Sequence, residues 1–361
     1  MERLFFPKER LFDFFNFVNE EYCLYLPVRI EGRQIVCDYN FNLPSADYIL
    51  KKYSLLKKED FEFNPYRTIE PLKSFLNYPK EIVCEYFSKE LTIQDKKIAI
   101  FGVKNCDLFS LKIQDFVFLQ GDYTDPLYKK RRENLFIISS DCLSFKEVCF
   151  CLAYDINPYP ESGFDLNFSS LDEGFLVEVG SDKAKALLEK KGFLFEKIPS
   201  RLNTELLSKR ENITTQLKEH IKSHALPKKE VLKEIINKGY NSKLWQEEMF
   251  NCVECGGCNF ICDTCHCFLL SESGSETVFK KIRSWDSCQY ANFAKEAGGA
   301  NPLNTRAKRL RNRFLKKFDF FIDNLGLPAC CGCGRCIETC PAKIDIRKIL
   351  KSLYEESLSA N

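Results

Sequence analysis

The sequence predicts an α+β chain: an α/β part over residues 1–200, a helical connecting segment over 201–250, and a mainly helical, cysteine-rich part over 251–361. Three observations predict it. Short apolar runs with charged flanks alternate with stretches of helical spacing in the first part. Strand signals then disappear from about Asn203 to Phe250, where the chain is charged and helical. After Asn251 the cysteines crowd: twelve of the 19 fall between Cys252 and Cys340.

Taken in order, residues 7–20 alternate charge and aromatic at helical spacing. The phenylalanines Phe5, Phe6, Phe12, Phe14, Phe15 and Phe17 read as a buried helix face. Cys23 to Asp38 reads as two strands folded around Glu31-Gly32, a hairpin signal. KKIAIFGVK at 96–104, LFIISS at 135–140 and GFLVEVGS at 174–181 read as further strands. Asp182 to Lys191 reads as a helix closed by Gly192. His220 and His224 lie four apart on the connecting helix, but no third ligand accompanies them in sequence, so they read as ordinary helical residues.

Composition narrows the function classes. Formal net charge is +2, which gives no bulk field for nucleic acid, a membrane surface or an acidic substrate. Glu2, Arg3, Lys8, Glu9 and Arg10 interrupt the apolar runs of the N-terminus, so no signal peptide is expected. No uncharged stretch is long enough to span a bilayer, and a cytoplasmic location is expected. In that setting cysteines serve metal or redox chemistry more than disulfides. Cys23, Cys37 and Cys84 are scattered, and only three histidines are present, which argues against imidazole-based zinc or bis-histidine haem.

CVECGGCNFIC supplies Cys252, Cys255, Cys258 and Cys262, and CCGCGRCIETCP supplies Cys330, Cys333, Cys336 and Cys340 before Pro341. Both have the C-x2-C-x2-C-x3-C spacing of ferredoxin runs that hold a pair of [4Fe–4S] clusters. Three thiolates at intervals of three wrap one cube, and the fourth starts a helix that leads to the partner cube. The expected first cluster therefore takes Cys252, Cys255, Cys258 and Cys340, and the second takes Cys330, Cys333, Cys336 and Cys262. Gly256, Gly257, Gly332 and Gly334 let the backbone approach closely. Two structural zinc sites would use paired C-x2-C units, yet leave the further cysteines of each run unexplained. Asp263 stands where the first run would have proline, a change in how the chain leaves the loop.

Other features stay open at this stage. Between the runs lie Cys265, His266, Cys267 and Cys288, then a basic stretch from Ala297 to Phe314. That stretch reads equally as a solvated helix face or as positive charge beside the clusters. Cys106, Cys142, Cys149 and Cys151 fall in the α/β part, either as small apolar packing or as a third cluster. In the second case Cys265, Cys267 or Cys288 could help. Cys331 reads as a bystander. No G-x-G-x-x-G or P-loop is present, so the chain is not expected to bind NAD(P) or FAD itself. No nucleophile constellation stands out either.

Read with their neighbours, these runs resemble the β-type iron–sulfur subunit of soluble NAD(P)-linked [NiFe] hydrogenases, the sulfhydrogenases. The related iron–sulfur subunit of anaerobic sulfite reductase is similar. The resemblance rests on RTIEPLKSFLNYPKEIV (67–83), FGVKNCDLFSL (101–111), DPLYKKRREN (125–134), CFC at Cys149 to Cys151, GFDL from Gly163, TCHCF after the first run, and WDSC ending at Cys288. CFC, GFDL and WDSC in this order are more specific than the ferredoxin runs. The resemblance implies a non-catalytic electron-transfer subunit. Its partners would be a flavoprotein subunit that handles FAD and NAD(P)H and a catalytic hydrogenase or sulfite reductase subunit. FGVKNCD and GFDL lean toward the hydrogenase branch. A contrasting expectation is a docking module merely stapled by metal.

Overall fold

A computed structural model describes residues 2–30, 33–36, 39–42, 47–86, 96–191, 194–274 and 278–359. The chain opens with β1 (Glu2–Pro7), α1 (Leu11–Glu21), β2 (Cys23–Ile30), β3 (Arg33–Val36), β4 (Tyr39–Asn42) and β5 (Asp47–Lys52). There follow β6 (Lys80–Tyr86), β7 (Ile98–Val103), α2 (Asn105–Leu119), α3 (Pro126–Asn134), β8 (Leu135–Ser140), β9 (Leu166–Ser170), β10 (Gly174–Val179) and α4 (Asp182–Lys191). Helices α5 (Ser200–Ser223), α6 (Leu232–Lys238), α7 (Leu244–Glu248) and α8 (Gly257–Phe260) lead into the cysteine-rich part. It continues with β11 (Phe268–Gly274), β12 (Phe279–Trp285), α9 (Arg306–Leu315), α10 (Phe321–Leu325), α11 (Arg335–Glu338) and α12 (Ile346–Ser359).

Seven strands form one mixed sheet in the order β1-β10-β9-β8-β7-β2-β5. β2, β7, β8 and β9 are parallel, and β10, β1 and β5 pair antiparallel at the edges. The parallel centre explains the unbroken apolar runs of β7 and β8, since both faces of such strands are covered. Alternate residues divide between two cores. Ala99, Phe101, Phe136 and Ile138 join Phe6, Phe14, Phe15, Phe168 and Phe175 on one face. Ile100, Val103, Leu135 and Ile137 meet Leu108 and Leu111 of α2 on the other. The fold class is the α+β class expected.

Three local expectations change. Phe5 and Phe6 belong to edge strand β1, so the phenylalanine crowd is shared between a strand and a helix that starts at Leu11. The two strands of 23–38 exist but do not form a hairpin. β2 is paired on both sides by β5 and β7, and β3 pairs with β4. The Glu31-Gly32 turn, Cys37 and the Gly192 cap lie outside the described residues. The mainly helical cysteine-rich part also carries the hairpin of β11 and β12, which recruits β6 from the first part. No helix among the described residues is long and apolar enough to cross a membrane.

Candidate metal centre

The two cysteine runs adopt the same backbone. Glu254 and Gly256 have φ of 57° and 72°, and Gly332 and Gly334, at the matching positions, have 63° and 72°. This left-handed twist at the second and fourth residues after the first cysteine curls each loop. A one-turn helix follows each loop, α8 after Gly256 and α11 after Gly334. Glu254 is the non-glycine member of the set, and Gly257, named with the glycines from sequence, has no positive φ.

The loops and helices exchange their fourth cysteines. One cavity is lined by Cys252, Cys255, Cys258 and Cys340. Cys262 is buried within electrostatic reach of Cys330, Cys333 and Cys336. The two groups abut where Cys336 reaches the wall of the first cavity and the field of Cys258.

Donors and cations surround these thiols. The backbone N–H of Glu254 donates to Cys252 Sγ at 3.4 Å, and that of Ile344 donates to Cys340 Sγ at 3.4 Å. Residues Arg309, Arg313 and Lys317 form a buried stripe on one helical face, set against Glu254, Cys258 and Cys262 at the same interval of four. Arg309 Nη2 donates to Glu254 Oε1 at 2.6 Å. Arg313 Nε donates to Asn259 Oδ1 at 3.1 Å, and Lys317 Nζ donates to Cys262 Sγ at 3.4 Å. Lys317 sits in a π-helical turn over Lys316–Phe320 that follows α9; such bulges often mark functional sites. The basic stretch thus divides: Arg306 is half exposed while Arg309 and Arg313 turn inward.

The thiols respond to this setting. Burial pushes Cys258 and Cys330 up to about 12. A hydrogen bond from Cys265, with Lys317 and Arg313 assisting, holds Cys262 well below the ordinary thiol range. A hydrogen bond from Cys331, with Arg335 and Arg67, brings Cys333 to about 6. Coordination would displace the remaining protons, because thiolates and not thiols bind metal.

Asp263 explains its own departure from proline. Fully buried, its Oδ2 takes Arg335 Nη1 at 2.9 Å, and its Oδ1 takes the Lys73 N–H at 3.0 Å. Arg335, between Cys333 and Cys336, also donates to Asp107 Oδ1 at 2.7 Å and to the carbonyls of Thr68 and Ile69. Arg67 Nε donates to the Cys333 carbonyl at 2.7 Å. These buried cations cross from the α/β part to the cysteine runs, and spacing alone did not single them out. The stripe at 309, 313 and 317 was readable as an i, i+4 pattern.

The other candidates separate. Cys265 and Cys288 both contact Asn259, and Cys267 faces Cys288, so this trio gathers beside the first run. Cys106, Cys142, Cys149 and Cys151 collect elsewhere, beyond the second run. Glu147 joins His220 and His224 as a third ligand type, with ligand atoms within 4.8 Å. A guanidinium already fills that place: Arg347 Nη1 lies 3.0 Å from His224 Nε2, and its Nη2 is 3.1 Å from Glu147 Oε1.

Two cysteine runs of one conformation, with exchanged fourth cysteines and amide and cationic support, define an iron–sulfur electron carrier of the [4Fe–4S] type. The family described as the 4Fe-4S dicluster domain matches residues 251–344. Sulfhydrogenase 2 subunit beta of Pyrococcus furiosus is 31% identical over 347 residues, spanning 95% of this chain and 96% of that protein. The chain belongs to the family of sulfhydrogenase β subunits.

Proposed function

We propose that the chain carries two [4Fe–4S] clusters, one on Cys252, Cys255, Cys258 and Cys340 and one on Cys330, Cys333, Cys336 and Cys262. It relays electrons between an NAD(P)-linked flavoprotein subunit and the catalytic subunit of a soluble hydrogenase complex in the cytoplasm. The observation that carries this reading is the cavity in which Cys340 meets the first three cysteines of the other run. The similarity to a sulfhydrogenase β subunit over nearly the whole chain favours the hydrogenase branch over the sulfite reductase branch.

A bound [4Fe–4S] cluster supplies reversible one-electron change. The protein sets where and how readily that happens. Cys255 is exposed, and Phe250 and Val253 beside it are 76% and 65% exposed, an apolar rim suited to a partner's surface. Cys330 and Cys333 are buried behind it. Lys317 and Arg313 place positive charge against the interior thiols, which favours the reduced, more negative state.

The test is anaerobic purification of the full chain. Brown protein with about four irons per cluster and a visible absorbance that bleaches on reduction is expected. Cys258→Ser should remove the signal of one cluster and leave the other. Colourless protein that holds zinc at these cysteines would sink the proposal.

A further inference from the structure

We infer that Cys106, Cys142, Cys149 and Cys151 form a third thiolate centre, which binds a further [4Fe–4S] cluster and carries the electron path into the α/β part. The inference rests on the two-cluster reading for its electron source.

Parallel strands β7 and β8 end at Val103 and Ser140. Cys106 lies in the first turn of α2, which follows β7, and Cys142 lies two residues beyond β8. The carboxyl ends of such strands are where open α/β sheets hold ligands. Cys149 and Cys151 come from the loop that returns over this edge. Cys151 lies within electrostatic reach of Cys149 and Cys142, and Cys142 of Cys149; Cys106 lies within reach of Cys333 and Cys151.

Apolar packing alone would explain four buried thiols. It does not explain the cations around them. Lys104 is fully buried, and its Nζ donates to the Asn64 carbonyl, Ser140 Oγ and the Asp141 carbonyl at 2.7, 2.7 and 3.0 Å. None of these acceptors is charged. Among the described residues no carboxylate forms a direct ion pair with this ammonium; the largest opposite field on it comes from Cys142, followed by Asp141 and Asp107. Arg67 is 2% exposed and faces Cys149. Its Nη2 pairs with Glu338, but its Nη1 is buried without a hydrogen-bond partner. A buried donor left so is costly. An anionic cluster adds sulfur acceptors for Arg67 and, beside Asp141 and Asp107, further counter-charge for Lys104.

The centre adjoins the second run. Phe150 N–H donates to the Gly332 carbonyl at 2.8 Å. A Cβ on Gly332 would stand 2.6 Å from Cys151 N and Cα, and one on Gly334 would stand 2.3 Å from the Val148 carbonyl oxygen. Cys106, Cys149 and Cys151 all lie in the field of Cys333. Four thiols lose their protons on ligation. In use, one electron passes from a reduced cluster on the second run to an oxidised third cluster, and no other bond changes.

The test counts iron, acid-labile sulfide and zinc in the full chain, reconstituted anaerobically, for the parent and for Cys142→Ser with Cys149→Ser. About twelve irons in the parent and about eight in the variant are expected, with the reduced-state EPR of the other two clusters retained. Iron unchanged by the variant overturns the third centre, as does zinc lost in place of iron. A loss on Cys258→Ser but not on this variant leaves only the two-cluster reading standing. Should the double variant not fold, Cys142→Ser alone is read by EPR. A new oxidised three-iron signal supports the centre, and an unchanged spectrum overturns it.

Discussion

Arg335 ties the second cysteine run to the α/β part. Its guanidinium answers Asp107 and Asp263 and three backbone carbonyls, all within a dry interior. Breaking such a network strands two buried carboxylates, which costs about 3–5 kcal/mol. Arg335→Met is therefore expected to lower the denaturant midpoint sharply, and an unchanged midpoint would refute that role. Glu70 gives a pH signature. Burial pushes its carboxyl up to about 7, with Oε1 unpartnered. The folded chain then binds this proton more tightly than the unfolded one. The stability it contributes is full below about pH 4.5 and is lost as pH rises through 7, by up to about 3 kcal/mol. Glu70→Gln should flatten stability across that window; parallel pH profiles for the two proteins would contradict it. Lys317→Met removes a cation 3.4 Å from Cys262 Sγ. The midpoint of the second cluster should shift to more negative potential in an EPR titration, with the first unchanged.

Elements repeat the lesson in backbone form. Gly332 combines φ of 63° with a hard approach to Cys151, so Gly332→Ala should cost more than about 2 kcal/mol and release iron. Gly298 has nothing within 4 Å, and Gly298→Ala should change stability by less than about 0.5 kcal/mol. A thermal melt of the two variants side by side checks both. Local spacing made much of this level legible. The two curled loops, the strands β7, β8 and β10 and the helix over Asp182–Lys191 follow from residue types within a few positions. The supposed hairpin at 23–38 shows the limit, because a strand's partner is set by long-range burial and not by its neighbours. Glu254 shows another: its left-handed φ copies that of Gly332 without the glycine that would announce it.

At the scale of the whole molecule, the cysteine spacing pointed to which thiols would meet, while the cations that join the two parts were hidden in sequence. Arg67, Lys73 and Lys104 are ordinary charged residues until the fold buries them. Lys73 donates to the carbonyls of Asn259 and Cys265 at 3.0 Å each, nearly two hundred residues away. The spread of thiols over two parts has a measurable consequence. A chain cut before residue 251 retains Cys106, Cys142, Cys149 and Cys151 but loses Arg335 and the loop against Cys151, so it should keep no iron.

The pairing of β6 with β12 bears on synthesis. Strand Lys80–Tyr86 leaves the ribosome about two hundred residues before its mate, Phe279–Trp285. Until then it is an open ladder of amide donors and acceptors, able to pair with another nascent chain. Contacts between such distant segments form slowly. Slow translation or cold expression should therefore favour intact, metal-loaded protein over inclusion bodies, and trimming β6 should spoil the cysteine-rich part although it contains no ferredoxin cysteine.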